Sequence, residues 1–124
     1  MTQPLALILY EKLLPGSQLV NRLQDLNYRV QAVSHPDSLV GCAEAEMPMV
    51  VVVDLTSTTC DVPALISKMK QNPGTSHIPV IAFGPEAALD SFQAALNAGA
   101  ALVTGEVAIL SHVSELLEQA LHVD

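Results

Sequence analysis

Aromatic residues make up only 3% of this 124-residue chain, and tryptophan is absent. Any core must therefore be assembled from Val, Leu, Ile and Ala. Cations are scarce as well. Five Lys plus Arg stand against thirteen Asp plus Glu, the formal net charge is −8, and no Lys or Arg follows Lys70. Nucleic acid is a poor partner for such a chain, because phosphate binding needs clustered cations. The two cysteines, Cys42 and Cys60, form no CxxC and pair with no histidine at metal-ligand spacing. That argues against zinc and dithiol chemistry and fits idle thiols in a reducing compartment. No apolar run approaches the ~18 residues of a membrane span. The N-terminal MTQPLALILYEK has no basic region before its apolar stretch and no small-residue cleavage site, so it reads as a first strand and not a signal peptide. The expected location is the cytoplasm, away from membranes. His35, His77, His112 and His122 are scattered and read as surface or loop residues.

What is present is a half-hydrophobic chain with a mean hydropathy of +0.39, long enough to bury a core. Residues 1–124 read as a single domain, with no linker, repeat or low-complexity tract and no room for an output domain. Short β-rich runs alternate with helical patterns. Leu5 to Tyr10 is the first strand candidate, and Pro15, Gly16 and Ser17 mark a turn and helix cap. Leu19, Val20, Leu23 and Leu26 recur at helical spacing, and Asn27 closes that helix. A less buried strand covers Tyr28 to Val33. A short helix over Leu39 to Ala45 follows the turn at His35 to Ser38. Met49 to Val53 is apolar throughout, as suits a parallel strand covered on both faces. Asp61 caps a third helix, with Pro63 in its first turn and Val62, Leu65, Ile66 and Met69 inward. Pro79 to Phe83 is a fourth strand. Glu86 to Asn97 is a fourth helix with Ala88, Phe92, Ala95 and Leu96 inward, and Gly99 suits its C-terminal turn. A short strand near Leu102 to Thr104 and a helix from Ala108 to Leu121 complete the pattern.

Five βα units in a row imply an α/β fold: a five-stranded parallel sheet, doubly wound, (βα)5 and flavodoxin-like, with strand order 2-1-3-4-5. Open sheets of this kind bind ligands beyond the carboxyl ends of their strands. The residues expected there are Tyr10 and Glu11 after strand one, Asp54 after strand three, Gly84 after strand four, and Thr104, Gly105 and Glu106 after strand five. With strands one and three adjacent, Glu11 and Asp54 share a crevice. Two carboxylates there could hold Mg²⁺, which commonly uses one or two carboxylates and several waters. Alternatively they repel, and one takes up a proton.

The chain resembles a response-regulator receiver domain of the CheY-like kind over nearly all its length. The resemblance is carried by VVVVDLTS around Asp54, HIPVIAF before Gly84, and ALNAGA ending at Ala100. It implies a two-component or phosphorelay module and puts Asp54 at the position that accepts a phosphoryl group from a histidine kinase. The neighbours depart from the family pattern. Two adjacent acids after strand one align with Tyr10 and Glu11, so one acid is lost. A Thr or Ser after strand four aligns with Gly84, beside Pro85. A Lys and Pro after strand five align with Glu106 and Val107, give or take a residue. A charge-assisted contact to a phosphoryl oxygen is worth roughly 1.5–3 kcal/mol, and the lysine and hydroxyl supply two of them.

The resemblance thus implies a degenerate, non-enzymatic pseudo-receiver that works by protein–protein interaction and requires no cofactor. Its partner would be a histidine kinase or other signalling protein, or a second copy through the 86–124 region. One alternative is a working phosphoacceptor at Asp54. Another is a flavodoxin-like small-ligand-binding domain. Against the latter, EKLLPGSQ has one glycine and no phosphate-cradling pattern, although TSTTC after Asp54 could bind an anion. That hydroxyl-rich loop reads more simply as solvated, with local side-chain to backbone bonds.

Overall fold

The computed structural model describes residues 4–9, 13–33, 35–55, 61–86 and 89–121. Five parallel strands form one sheet: β1 (Leu5–Leu9), β2 (Arg29–Val33), β3 (Val50–Asp54), β4 (Val80–Gly84) and β5 (Leu102–Gly105). Their order is β2-β1-β3-β4-β5, as the alternation of elements implies. The helices are α1 (Leu13–Asp25), α2 (Leu39–Glu46), α3 (Val62–Gln71), α4 (Leu89–Ala98), α5 (Glu106–Ser111) and α6 (Val113–Leu121), with a 3₁₀ turn at Pro36–Ser38 before α2.

β1, β3 and β4 are buried at every residue, which is why they read as unbroken apolar runs. Side-chain alternation divides them between two cores. Leu7, Val51, Val53 and Ala82 pack under α2, α3 and α4 with Leu39, Ile66, Met69 and Ala95. Ile8, Val52, Ile81 and Phe83 pack under α1, α5 and α6 with Leu19, Leu23, Ile109 and Leu117. Phe83 is fully buried and is the bulkiest residue of that second core.

Local signals explain most boundaries. Asp61 accepts a hydrogen bond from the Ala64 N–H at 3.2 Å and caps α3, whose first turn holds Pro63. Asn27 takes a left-handed conformation (φ 69°) after α1. Gly99 does so after α4 with φ 118°, and a Cβ there would lie 2.7 Å from Lys70 Cγ. Glycine is thus required at 99 on two grounds.

Four details differ from the sequence reading. α1 begins at Leu13, so Pro15 and Gly16 lie in its first turn, where an unused N–H makes proline tolerable. α4 begins at Leu89, leaving Glu86 in the preceding loop, and Ala88 lies outside the described residues. Leu96 is 47% exposed, because Ala95 and not Leu96 turns toward the sheet. The last helix bends at His112 into two segments, yet the bonds from His112 N to Ala108 O and from Leu116 N to His112 O persist across the bend. The described histidines, His35, His77 and His112, are exposed as expected. Cys42 is a half-buried free thiol, and Cys60 and His122 lie outside the described residues.

Candidate functional site

Asp54 is the last residue of β3 and is only 1% exposed. The sheet register sets it beside Phe83 of β4, and Val53 beside Leu9 of β1. The Leu55 N–H donates to the Phe83 carbonyl at 2.8 Å, so strand pairing continues one residue past the carboxylate. Asp54 is therefore held by a rigid strand at the carboxyl edge of the sheet, where such folds place their sites. A carboxylate leaving the core at a loose turn would be solvated instead.

Gly84 ends β4 and is buried. A Cβ built there would lie 3.3 Å from Leu55 Cβ and 3.6 Å from the Phe92 ring. Its neighbours there are apolar atoms of Leu55 and of Phe92 on α4. A Cβ at this position would meet Leu55 tightly and the Phe92 ring at ordinary van der Waals distance.

The register pairs Gly84 with Gly105, so the ends of β4 and β5 carry no side chain between them. Above Gly105 lies the carboxylate of Glu86, from the loop after β4. A Cβ at Gly105 would overlap it. Glu86 Oε2 accepts a hydrogen bond from the Val107 N–H at 2.9 Å, an N–H in the first turn of α5. Backbone donors at a helix start favour a negative oxygen. Glu86 thus ties the loop after β4 to the start of α5. Its carboxylate covers the end of β5, where the receiver resemblance implies a lysine.

Glu106 is the first residue of α5 and half-buried, directly after Gly105. The structure therefore brings Asp54, Gly84 and Glu106 to one edge of the sheet. Tyr10, Glu11 and the TSTTC loop, 56–60, lie outside the described residues. Glu86 was not anticipated as part of this site. Its position 21 residues from Val107 hides the contact from any local pattern, and the one hint is that glycine rather than a side chain ends the fifth strand.

Among the described residues, no three His, Cys, Asp or Glu side chains gather as a metal cage. Mg²⁺ commonly uses one or two carboxylates and several waters, and Asp54 is one carboxylate at this edge. Among the described residues, no helix is long and apolar enough to cross a membrane.

Comparison with solved structures decides the architecture. The receiver domain of sensor histidine kinase PA1611 from Pseudomonas aeruginosa superposes with a TM-score of 0.87 at 16% identity, covering 98% of this chain and 100% of that one. FixJ-N gives 0.85 at 18% identity, covering 100% and 98%. Chemotaxis protein CheY4 of Vibrio cholerae gives 0.85 at 13% identity, covering 97% and 100%. This chain has the receiver fold. No family model matches its sequence, and no curated protein is similar to it at the level of sequence. The agreement thus lies in how receiver strands and helices are arranged. The PA1611 receiver holds a magnesium ion in its active-site cleft.

Proposed function

We propose that this chain is a receiver-like signalling module that acts by binding another protein, without a phosphoryl-driven switch and without catalysis of its own. The observation that carries this reading is the pairing of Gly84 with Gly105 under the Glu86 carboxylate. A receiver switch needs a hydroxyl and a cation to close on a phosphoryl group at the strand-three aspartate. Here the hydroxyl position is glycine, which brings no hydroxyl, and its neighbours Leu55 and Phe92 are apolar. By the resemblance the cation position holds Glu106, and Glu86 adds a second negative charge at the same edge. Two absent contacts of roughly 1.5–3 kcal/mol each would leave a phosphoryl group on Asp54 unable to move the neighbouring loops.

The module works in the cytoplasm, and its partner is a histidine kinase or another signalling protein. The 86–124 region is the docking face, open to such a partner or to a second copy. It needs no cofactor. If Mg²⁺ binds, Asp54 and Glu11 hold it, and the ion would neutralise charge beside Asp54.

A second reading, a working phosphoacceptor, is favoured by the burial of Asp54 at the strand-three position. One experiment separates the two. The chain is incubated with a small phosphodonor and Mg²⁺, then weighed intact by mass spectrometry. The expected result is substoichiometric labelling, with far-ultraviolet and amide spectra unchanged. Stoichiometric labelling abolished by Asp54→Asn would sink the proposal.

A further inference from the structure

Glycine at position 105 answers a need for space, not for backbone freedom. Its φ of −78° and ψ of 162° are extended values open to any residue. A Cβ there would nonetheless overlap the Glu86 side chain, at the γ-carbon as well as the carboxylate. The room left by the missing side chain is filled by Glu86.

The contact that fills it is slight. Glu86 is exposed, and its carboxylate accepts one hydrogen bond, from the Val107 N–H at 2.9 Å. Among the described residues no Lys, Arg or His pairs with it. A flexible side chain held this way can swing to water through ordinary rotamers. A single carboxylate contact to a helix-start N–H leaves roughly one molecule in six open.

The contact also joins segments that the sheet does not. The pairing of β4 with β5 reaches Gly84 and Gly105, and Glu86 carries the connection one step beyond. Only residues 87 and 88 separate Glu86 from the start of α4 at Leu89. Where Glu86 rests therefore decides whether the chain entering α4 is tied to α5.

We propose that Glu86 and Gly105 form a two-state latch that sets the loop after β4 against α5. Closed, the carboxylate lies over Gly105 and bonds the Val107 N–H. Open, Glu86 turns to solvent, water takes the N–H, and the loop is released. The latch rests on the proposed function and names its regulation: with no phosphoryl pull at this edge, the latch governs the loop. A bound protein that favours one position of Glu86 would shift the balance.

Amide spectra of the whole ¹⁵N-labelled chain test this, for the native protein and for Glu86→Gln, Glu86→Ala and Gly105→Ala. Glu86→Ala deletes the acceptor, Gly105→Ala bars its seat, and Glu86→Gln keeps an acceptor oxygen without the charge. The reporters are Leu89, Asp90, Ala108 and Ile109, which no substitution alters. Two states in fast exchange put the four spectra on one line for each reporter. The native chain is expected at the closed end, both alanine variants together at the open end, and Glu86→Gln between them. Solvent exchange of the Val107 amide should rise about sixfold in both alanine variants, as the open fraction goes from one in six to all. Displacements in different directions overturn the latch, as does unchanged Val107 exchange in Glu86→Ala. Glu86 is exposed, so its two variants decide the matter even if Gly105→Ala fails to fold. A small phosphodonor with Mg²⁺ then keeps the two conclusions apart. Native reporters that stay in place support both. Movement along the same line after the donor keeps the latch and overturns the phosphoryl-independent role. Variant displacements off the line, with no response to the donor, overturn the latch and leave that role standing.

Discussion

The two ends of the sheet are built in opposite ways. At the amino end, the segment from α3 into β4 is closed by side chains with partners. Thr75 is fully buried and its hydroxyl donates to the Met69 carbonyl at 2.6 Å. Lys70 Nζ donates to the carbonyls of Ile78 at 2.8 Å and Ser76 at 3.3 Å, its stem packs over Gly99, and partial burial lowers its pKa. Asn72 reaches Glu44 at 2.9 Å. At the carboxyl end, glycines close the strands, and a loop carboxylate covers them. The last cation of the sequence therefore ties backbone carbonyls at the amino end. No Lys or Arg follows it in the sequence. Polar satisfaction holds one end together, whereas at the other β4 and β5 end on glycines beneath a loop carboxylate.

Substitutions can break that contrast. The largest effect is expected at Gly99→Ala, which combines a strained φ with overlap on the Lys70 stem. We expect a loss of about 3 kcal/mol by urea unfolding, and a loss below about 1 kcal/mol would show that the α4–β5 turn is not held as described. Thr75→Val removes a buried donor and leaves the Met69 carbonyl short of its partner. It should cost about 1–3 kcal/mol on the same assay, and a neutral result would remove Thr75 from the comparison. The smallest stability effect belongs to the carboxyl end. Gly105→Ala displaces the Glu86 carboxylate, and Glu86→Ala deletes it. Each should cost about 1 kcal/mol or less and speed hydrogen exchange at the Val107 amide. Exchange there that both changes leave untouched would mean the Glu86 tie is not formed in solution.

Much of the fold was legible because its signals are local. The valine run before Asp54 identifies a strand covered on both faces, and Asp61, Asn27 and Gly99 act at helix ends as their side chains or φ freedom allow. Boundaries were less legible where a residue tolerates two roles. Pro15 reads as a turn but fits the first turn of α1, and Glu86 reads as helical but ends in a loop. Leu96 reads as inward because leucine is apolar, yet the smaller Ala95 packs on the sheet. At the carboxyl edge, the places of Asp54 and Gly84 at strand ends follow from the apolar runs that precede them. The place of the covering acid does not, because nothing near Glu86 in sequence points to Val107.

The sequence by itself determined the order of elements, the parallel sheet, the carboxylate that ends β3, and the lack of any cation after Lys70. Composition and periodicity suffice for these, since each depends on residues next to one another or on a count. Only the tertiary structure decided that Gly84 lies against Leu55 and Phe92 and that Glu86 lies over Gly105. Those facts depend on parallel strands bringing the ends of distant segments to a common edge. No stretch of the chain carries that information alone.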